Sequence, residues 1–400
     1  MTSLPIHTQD SSAIVRGSRP DGVYLHVPFC KHKCHYCDFY SLADSRGREG
    51  DFVHRVVEEI HATADIVDST NITSVFFGGG TPTLLGASDL LQILNAVRER
   101  FVDSSQHDVE WTVEANPETV DVKCATALAE GGVGRVSIGC QSFNPKLLKT
   151  LERQHDPESV PVAIQHLREA GISRINLDMI FAIPGSSLEE WKADLEMVLS
   201  HNPQHLSCYG LIFEPGTPLY EKRRHGRMDE VEDDLQIEMY EHTRSCLAQA
   251  GYHQYEISNW AKRGEECLHN LTYWKNRDWI SLGPAASGHI SGNRWRNVPR
   301  LTDWLAHSPF SPIVDFESAE ISRNTSERLM LGFRLIEGFD QQELASLIEL
   351  DSPNSEHRTS VISSALATGQ LVDADGRIRF SESGILTSDR FLSDLIVCEP

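Results

Sequence analysis

The segment His26-Val-Pro-Phe-Cys30-Lys-His-Lys-Cys34-His-Tyr-Cys37 spaces three cysteines as C-x3-C-x2-C. It follows directly on an apolar run from Val23 to Val27 that reads as a strand, so all three thiols leave one loop. Three thiolates can cap three corners of a 4Fe-4S cubane and leave its fourth iron open, because a fully protein-held cluster takes four cysteines. The same loop carries His32 and His35, either of which would complete a Cys3His zinc site, and spacing alone leaves both readings standing. A second motif, Phe76-Phe77-Gly78-Gly79-Gly80-Thr81-Pro82, follows the next predicted strand. Small residues there let backbone groups approach the charged amino-acid end of a ligand. Alone, such a run is more often a tight turn; beside the cysteine loop it favours the cluster.

The elements that must carry these loops show a regular alternation. Strand-like runs lie at Val23 to Val27, Thr73 to Phe77, Val109 to Val113, Arg135 to Ile138, Arg174 to Phe181 and His205 to Leu211, separated by helical stretches. Alternation of this kind builds a parallel sheet with crossover helices. Asp51 to Ile60 places Phe52, Val53, Val56, Val57 and Ile60 on one helical face, and Ser88 to Phe101 does the same with Leu90, Leu91, Leu94 and Val97; Ser88 reads as the N-cap of that helix. Six βα units predict an α/β fold, a partial (β/α)6 TIM-like barrel with its chemistry at the C-terminal strand ends.

The pattern stops after Glu214-Pro-Gly-Thr-Pro, and the densely charged stretch from Glu221 to Asp234 reads as a surface connection or helix start. The expected division is a flexible N-terminal segment over 1–19, a barrel domain over 20–220 and a smaller α+β domain over 221–400. In the last, Thr325 to Leu335 reads as helix and Leu371 to Phe380 as short strands, with a winged-helix flavour at the end.

With 400 residues and 40% hydrophobic content, the chain can bury one large core and a smaller one. A formal net charge of −22 argues against nucleic acid as a partner, which needs a basic face. No stretch is apolar enough to span a bilayer and the first 20 residues carry no signal-peptide core, so a cytoplasmic protein with no integral membrane segment is expected. There the nine cysteines read as free thiols or metal ligands rather than disulfides. Cys124, Cys140, Cys208, Cys246 and Cys398 are expected to be small buried residues.

The cysteine loop and the Gly-Gly-Gly-Thr-Pro run together resemble the radical SAM superfamily. Tyr24 to Ser41, Val113 to Pro117, Gly139 to Phe143, Asn176 to Ile180 and Pro184-Gly185 resemble its oxygen-independent coproporphyrinogen III oxidase branch. True oxidases of that branch add a further cysteine two places after the third, where this sequence has Phe39. The branch's heme chaperones instead resemble His-Asn-x-x-Tyr-Trp, which His269-Asn-Leu-Thr-Tyr-Trp274 reproduces, preceded by the family-like Tyr255-Glu-Ile-Ser-Asn259.

The resemblance implies a heme chaperone that binds heme through His269 and passes it to recipient hemoproteins, membrane-bound respiratory enzymes among them. It implies a 4Fe-4S cluster on Cys30, Cys34 and Cys37, without coproporphyrinogen oxidase turnover. S-adenosylmethionine would contact Tyr24, Tyr36, Gly79, Gly80, Thr81, Glu114, Gln141, Arg153, Asp178 and Ile212. Glu114 and Asp178 suit ribose hydroxyls or the ligand's amine, Gln141 can donate and accept, and Arg153 offers a donor fork for a carboxylate. Asn116 is expected to be structural, and Cys267 is left out of the site. The competing enzyme reading is the oxidase itself, decarboxylating propionate side chains by radical chemistry. Without the resemblance, His269 reads as a satisfied structural histidine beside two packing aromatics.

Overall fold

A computed structural model describes residues 10–102 and 109–396; the expectation for Cys398 lies outside them, as do residues 1–9. Six parallel strands run in chain order: β1 Gly22–Val27, β2 Ser74–Gly79, β3 Glu110–Ala115, β4 Arg135–Gln141, β5 Arg174–Phe181 and β6 His205–Gly210. Each pairs with its sequence neighbour, as in β1 to β2 with Gly22 opposite Ser74. The six predicted strands are these six, with boundaries moved by at most three residues and those of β5 unchanged. The sheet does not close, so the partial-barrel architecture holds.

What the sequence did not suggest is how the edges are finished. Beyond β6 lie β7 His253–Glu256 and β8 Asn259–Ala261, with β8 antiparallel to β6. Beyond β1, β9 Trp279–Leu282 pairs in parallel and is followed by antiparallel β10 Ser287–Ile290, β11 Asn293–Asn297 and β12 Ile313–Glu317. The result is one 12-stranded sheet, in which later chain segments cover edges that would otherwise offer unpaired N–H and C=O groups.

The helices between the strands bury the predicted faces. Glu49–Ala64 buries Phe52, Val53, Val56 and Ile60, while Ala87–Phe101 buries Leu90, Ile93, Leu94 and Val97. Ile93 takes the place expected of Leu91, and Gly86 rather than Ser88 is the N-cap. The charged stretch after residue 220 divides between the ends of two helices, Pro218–Arg224 and Asp233–Gln249.

The core does not divide at residue 221. Met239, Leu247, Trp260, Trp295 and Ile313 belong to the barrel core. A second core begins with Leu329 and Phe333 and runs to Leu395. It joins the helices Ile321–Arg334, Gln341–Leu350, Ser355–Thr368 and Ser388–Leu395 to a small sheet of β13 Phe339–Asp340, β14 Leu371–Ala374 and β15 Arg377–Phe380. At the other end, residues 10–19 are tied down: Ser11 N donates to Ser311 O at 3.0 Å, and Val15 is buried.

One buried carboxylate fastens the later chain to the barrel. Glu110, at the start of β3, accepts from Arg135 Nη2 at 3.1 Å and Arg174 Nη2 at 3.2 Å through one oxygen. Its other oxygen accepts from the backbone N–H of Leu268 at 2.8 Å and of His269 at 3.3 Å. It therefore caps the helix Leu268–Trp274, whose first-turn donors have no partner within the helix. Glu110 and Arg135 are nearly inaccessible to solvent. Removing one member of such a pair leaves an uncompensated buried charge, so Glu110→Ala is expected to lose about 3–5 kcal/mol of stability. A urea unfolding midpoint measures this, and a midpoint equal to that of the parent would show that the pair does not hold the helix.

Candidate functional site

At the C-terminal ends of β1 to β6 the strands open into a cavity of about 500 Å³. The three thiols enter it from the loop after β1, which is pinned at its base. Cys30 N donates to Leu42 O at 3.0 Å, and Leu42 N to Pro28 O at 2.7 Å. Inside the loop, the His26 ring donates from Nε2 to Tyr40 O at 2.9 Å, and Leu301 N donates to the Tyr40 hydroxyl at 3.0 Å. His26 is buried, which lowers its pKa to about 4 and keeps it neutral.

The glycine run holds β2 against this loop. Gly79 has φ 102°, and a Cβ there would lie 2.3 Å from the His26 ring. At Gly80 a Cβ would lie 2.6 Å from Phe29 O, and its N–H donates to Val27 O at 2.8 Å. The smallness of these residues thus serves close packing on the cysteine loop as well as exposure of backbone to the cavity.

Side chains donate hydrogen bonds to two of the three sulfurs, and the Phe39 backbone N–H donates to the third, Cys37. Thr81 Oγ1 donates to Cys30 Sγ at 3.6 Å and Arg153 Nη1 to Cys34 Sγ at 3.6 Å. Asn116 connects these donors, giving a hydrogen bond to Thr81 Oγ1 at 3.0 Å and accepting one from Arg153 Nη2 at 2.8 Å. Arg153 also donates to Gly139 O. Its fork, expected to be free for a ligand carboxylate, is thus engaged with Cys34, Asn116 and Gly139. Asn116, expected to be structural, lines the cavity between the two cysteine donors; its place in Glu-Ala-Asn-Pro was the available signal.

These donors suit a cluster, since hydrogen bonds to sulfur accompany cysteine-ligated iron and tune it. Among the described residues, no three His, Cys, Asp or Glu side chains gather closely enough to hold a single metal ion. A cubane differs in placing each thiolate on a separate iron. His35, one of the possible zinc ligands, has its Nδ1 3.0 Å from Lys222 Nζ and 3.8 Å from Glu152.

The wall opposite the cysteines is acidic. Glu114 accepts from Gly79 N at 3.0 Å, and burial together with the nearby Asp178 raises its pKa to about 8. Asp178 accepts from Ser137 Oγ at 2.8 Å and Asn176 Nδ2 at 2.8 Å, and burial raises its pKa too. Gln141 adopts φ 66° where the β4 to β5 register slips between Gly139 and Gln141. This irregularity brings the side chain onto the cavity wall. Tyr36, Gly79, Gly80 and Thr81 line the same space, and Ile212, 66% exposed, stands with the 61% exposed Phe39 at its rim.

Tyr24 and His269 are not on that wall. Phe76 lines the cavity and stacks on His269 with ring centroids 5.1 Å apart, while Tyr24 stacks on both rings at 6.3 Å. His269 is fully buried. Its Nδ1 lies 2.9 Å from Ser74 Oγ and its Nε2 2.9 Å from Tyr273 OH. Both ring nitrogens are therefore engaged, and burial lowers the pKa to about 3. Asn270, its neighbour, does line the cavity. Sequence reasoning missed Asn270 and also the polar chain behind it. Tyr255 OH accepts from Asn270 Nδ2 at 3.4 Å and pairs with His205 Nε2 at 2.8 Å, and His205 Nδ1 pairs with Asn176 Oδ1 at 2.6 Å.

An open parallel barrel with three loop cysteines and a glycine-rich second strand facing one polar cavity defines a radical SAM protein, and residues 24–198 match the model of the radical SAM superfamily. Over its whole length the chain overlays the coproporphyrinogen III oxidase HemN of Escherichia coli, a radical SAM enzyme, with a TM-score of 0.80 covering 99% of this chain and 97% of that one. At 18% identity that likeness speaks for the fold alone. Closer in sequence are the heme chaperone HemW of Escherichia coli, 37% identical over 94% of this chain and 97% of the relative, and that of Mycobacterium tuberculosis, 34% identical over 94% and 95%. The chain belongs to the HemW family.

The Glu114 carboxyl has a pH signature. Its folded pKa of about 8 stands above the ordinary 4.5, so the unfolded chain ionises first and the folded state retains the proton. The resulting loss of stability is absent below pH 4.5, grows as pH rises to about 8, and is constant above it. Glu114→Gln lacks this loss. Its stability relative to the parent is expected to rise across that interval, read as denaturation midpoints at a series of pH values; a pH-independent difference would place the raised pKa elsewhere.

Proposed function

We propose that this protein is a cytoplasmic heme chaperone, which binds heme and delivers it to recipient hemoproteins of the respiratory kind while carrying a 4Fe-4S cluster and S-adenosylmethionine. The observation that carries the reading is the setting of His269-Asn-Leu-Thr-Tyr-Trp274 in a chain of this family. The motif forms a helix capped by Glu110, with His269 stacked on Phe76, which lines the cysteine cavity. Among the described residues, no helix is long and apolar enough to cross a membrane.

Cys30, Cys34 and Cys37 are the residues to hold the cluster, with Thr81 and Arg153 donating to its sulfur ligands. When bound, the cluster supplies an open iron for the amine and carboxylate of S-adenosylmethionine and an electron for its cleavage. Glu114 and Asp178 complement that ligand's positive charge, and Gln141, Tyr36 and the Gly79 to Thr81 backbone complete its walls. Phe39 presents an apolar rim where the oxidase pattern has a cysteine.

His269 is suited to heme iron by its neutral imidazole, since an axial ligand needs an unprotonated nitrogen. Nε2 is paired with the Tyr273 hydroxyl, and in the tautomer that carries the proton on Nδ1 its lone pair becomes free once the tyrosine hydroxyl withdraws. Heme loading in this reading therefore includes a shift of the helix end that carries Tyr273.

The test is an anaerobic heme titration of the cluster-reconstituted protein, followed in the Soret band. His269→Ala is expected to abolish saturable binding at unchanged iron and sulfide content. Tyr273→Phe, which removes only the hydroxyl, is expected to strengthen binding severalfold. Steady decarboxylation of coproporphyrinogen III by the reduced protein would instead establish the oxidase reading.

A further inference from the structure

A second cavity, of about 350 Å³, opens where the end of the motif helix meets the C-terminal core. It lies apart from the cysteine site and shares no lining residue with it. In a chain of net charge −22, its wall carries four cations, Lys275, Arg277, Arg328 and Arg377, against two carboxylates, Glu337 and Glu343.

Those carboxylates pair with three of the four cations, and Arg277 Nη1 lies 3.7 Å from Asp21 Oδ1. Glu337 is shared between Lys275 Nζ at 4.0 Å and Arg377 Nη2 at 3.8 Å, and Glu343 lies 3.4 Å from Arg328 Nη2. All of these groups are partly solvent-exposed, where single ion pairs are weak and exchangeable. Trp274, the last residue of the motif, lines the same cavity, and its indole N–H is buried with no acceptor among the described residues. The Arg334 guanidinium lies over the Trp274 ring, 4.8 Å from its centroid, and holds the ring in place. Cations held by such weak, exchangeable pairs are available to an anion's oxygens.

We infer that this cavity binds the carboxylate edge of heme, so that Lys275 and Arg328 pair with the propionates beside the Trp274 ring. The inference rests on the heme reading above and adds to it where the charged edge of the ligand is held. Arg377 is the less mobile cation, because it also donates to Glu337 O at 2.7 Å and Gly338 O at 2.6 Å and so fixes the turn before β13.

The experiment compares heme with its dimethyl ester, which keeps the iron and ring and lacks both charges, on the full cluster-loaded chain. The parent is expected to bind the ester about tenfold more weakly than heme. The double variant Lys275→Glu/Arg328→Glu, which spares the structural Arg377, is expected to lose about tenfold in heme affinity while binding the ester as the parent does. Circular dichroism and iron content report whether that variant is intact; if it is not, the single variant Lys275→Gln carries the same comparison. Equal affinity of the parent for heme and ester, or heme affinity untouched by the charge changes, would overturn this site and leave the chaperone reading standing. Absence of saturable binding of either ligand would overturn both.

Discussion

Glu110 is the charge around which the rest of the molecule is arranged. Its carboxylate sits at the N-terminal end of a barrel strand, faces two guanidinium groups from the next two strands, and accepts the first N–H groups of the helix Leu268–Trp274. A buried carboxylate is tolerable only when its lone pairs are filled, and here they are filled from two parts of the chain, the starts of β4 and β5 and the start of the helix Leu268–Trp274. The helix Leu268–Trp274 is thereby fixed relative to β3, and with it His269 against Phe76 and Asn270 against the cavity.

A different electrostatic balance governs the cavity. Cysteines that receive hydrogen bonds from Thr81 and Arg153 stand opposite two acidic side chains whose pKa values burial raises, that of Glu114 to about 8. Such a wall suits a ligand that brings positive charge, since a cation restores what desolvation has taken from Glu114 and Asp178. Behind the wall, Asn176, His205, Tyr255 and Asn270 form a polar chain that ends in the motif helix. Ligand contacts to Asp178 and the position of Asn270 therefore bear on one hydrogen-bonded network, whose members in a low-dielectric interior depend strongly on one another.

The HemW family membership and the HemN-like fold agree on the architecture. Phe39 presents an exposed apolar ring at the mouth of the cavity. His269 and Trp274 sit at opposite ends of a helix of seven residues, the first facing the barrel and the second facing the C-terminal core. One short element thus touches both cores of the molecule, which gives a change at either end a direct mechanical route to the other.

The sequence by itself determined what local pattern can encode. The C-x3-C-x2-C spacing, the glycine run and the six strands of alternating βα units were legible because each depends on residues a few positions apart and on the period of burial along one element. It also placed Cys30, Cys34, Cys37, Glu114, Gln141 and Asp178 near one end of the barrel, since residues just after parallel strands share one face of the sheet. Tertiary structure alone decided the rest. That Arg153 turns to Cys34, that Asn116 bridges it to Thr81, that His269 is sealed behind Phe76 with both nitrogens engaged, and that β9 adds to the edge of β1 are contacts between distant positions. No period or spacing records them, because they are fixed by which buried polar groups must find partners once the sheet has formed.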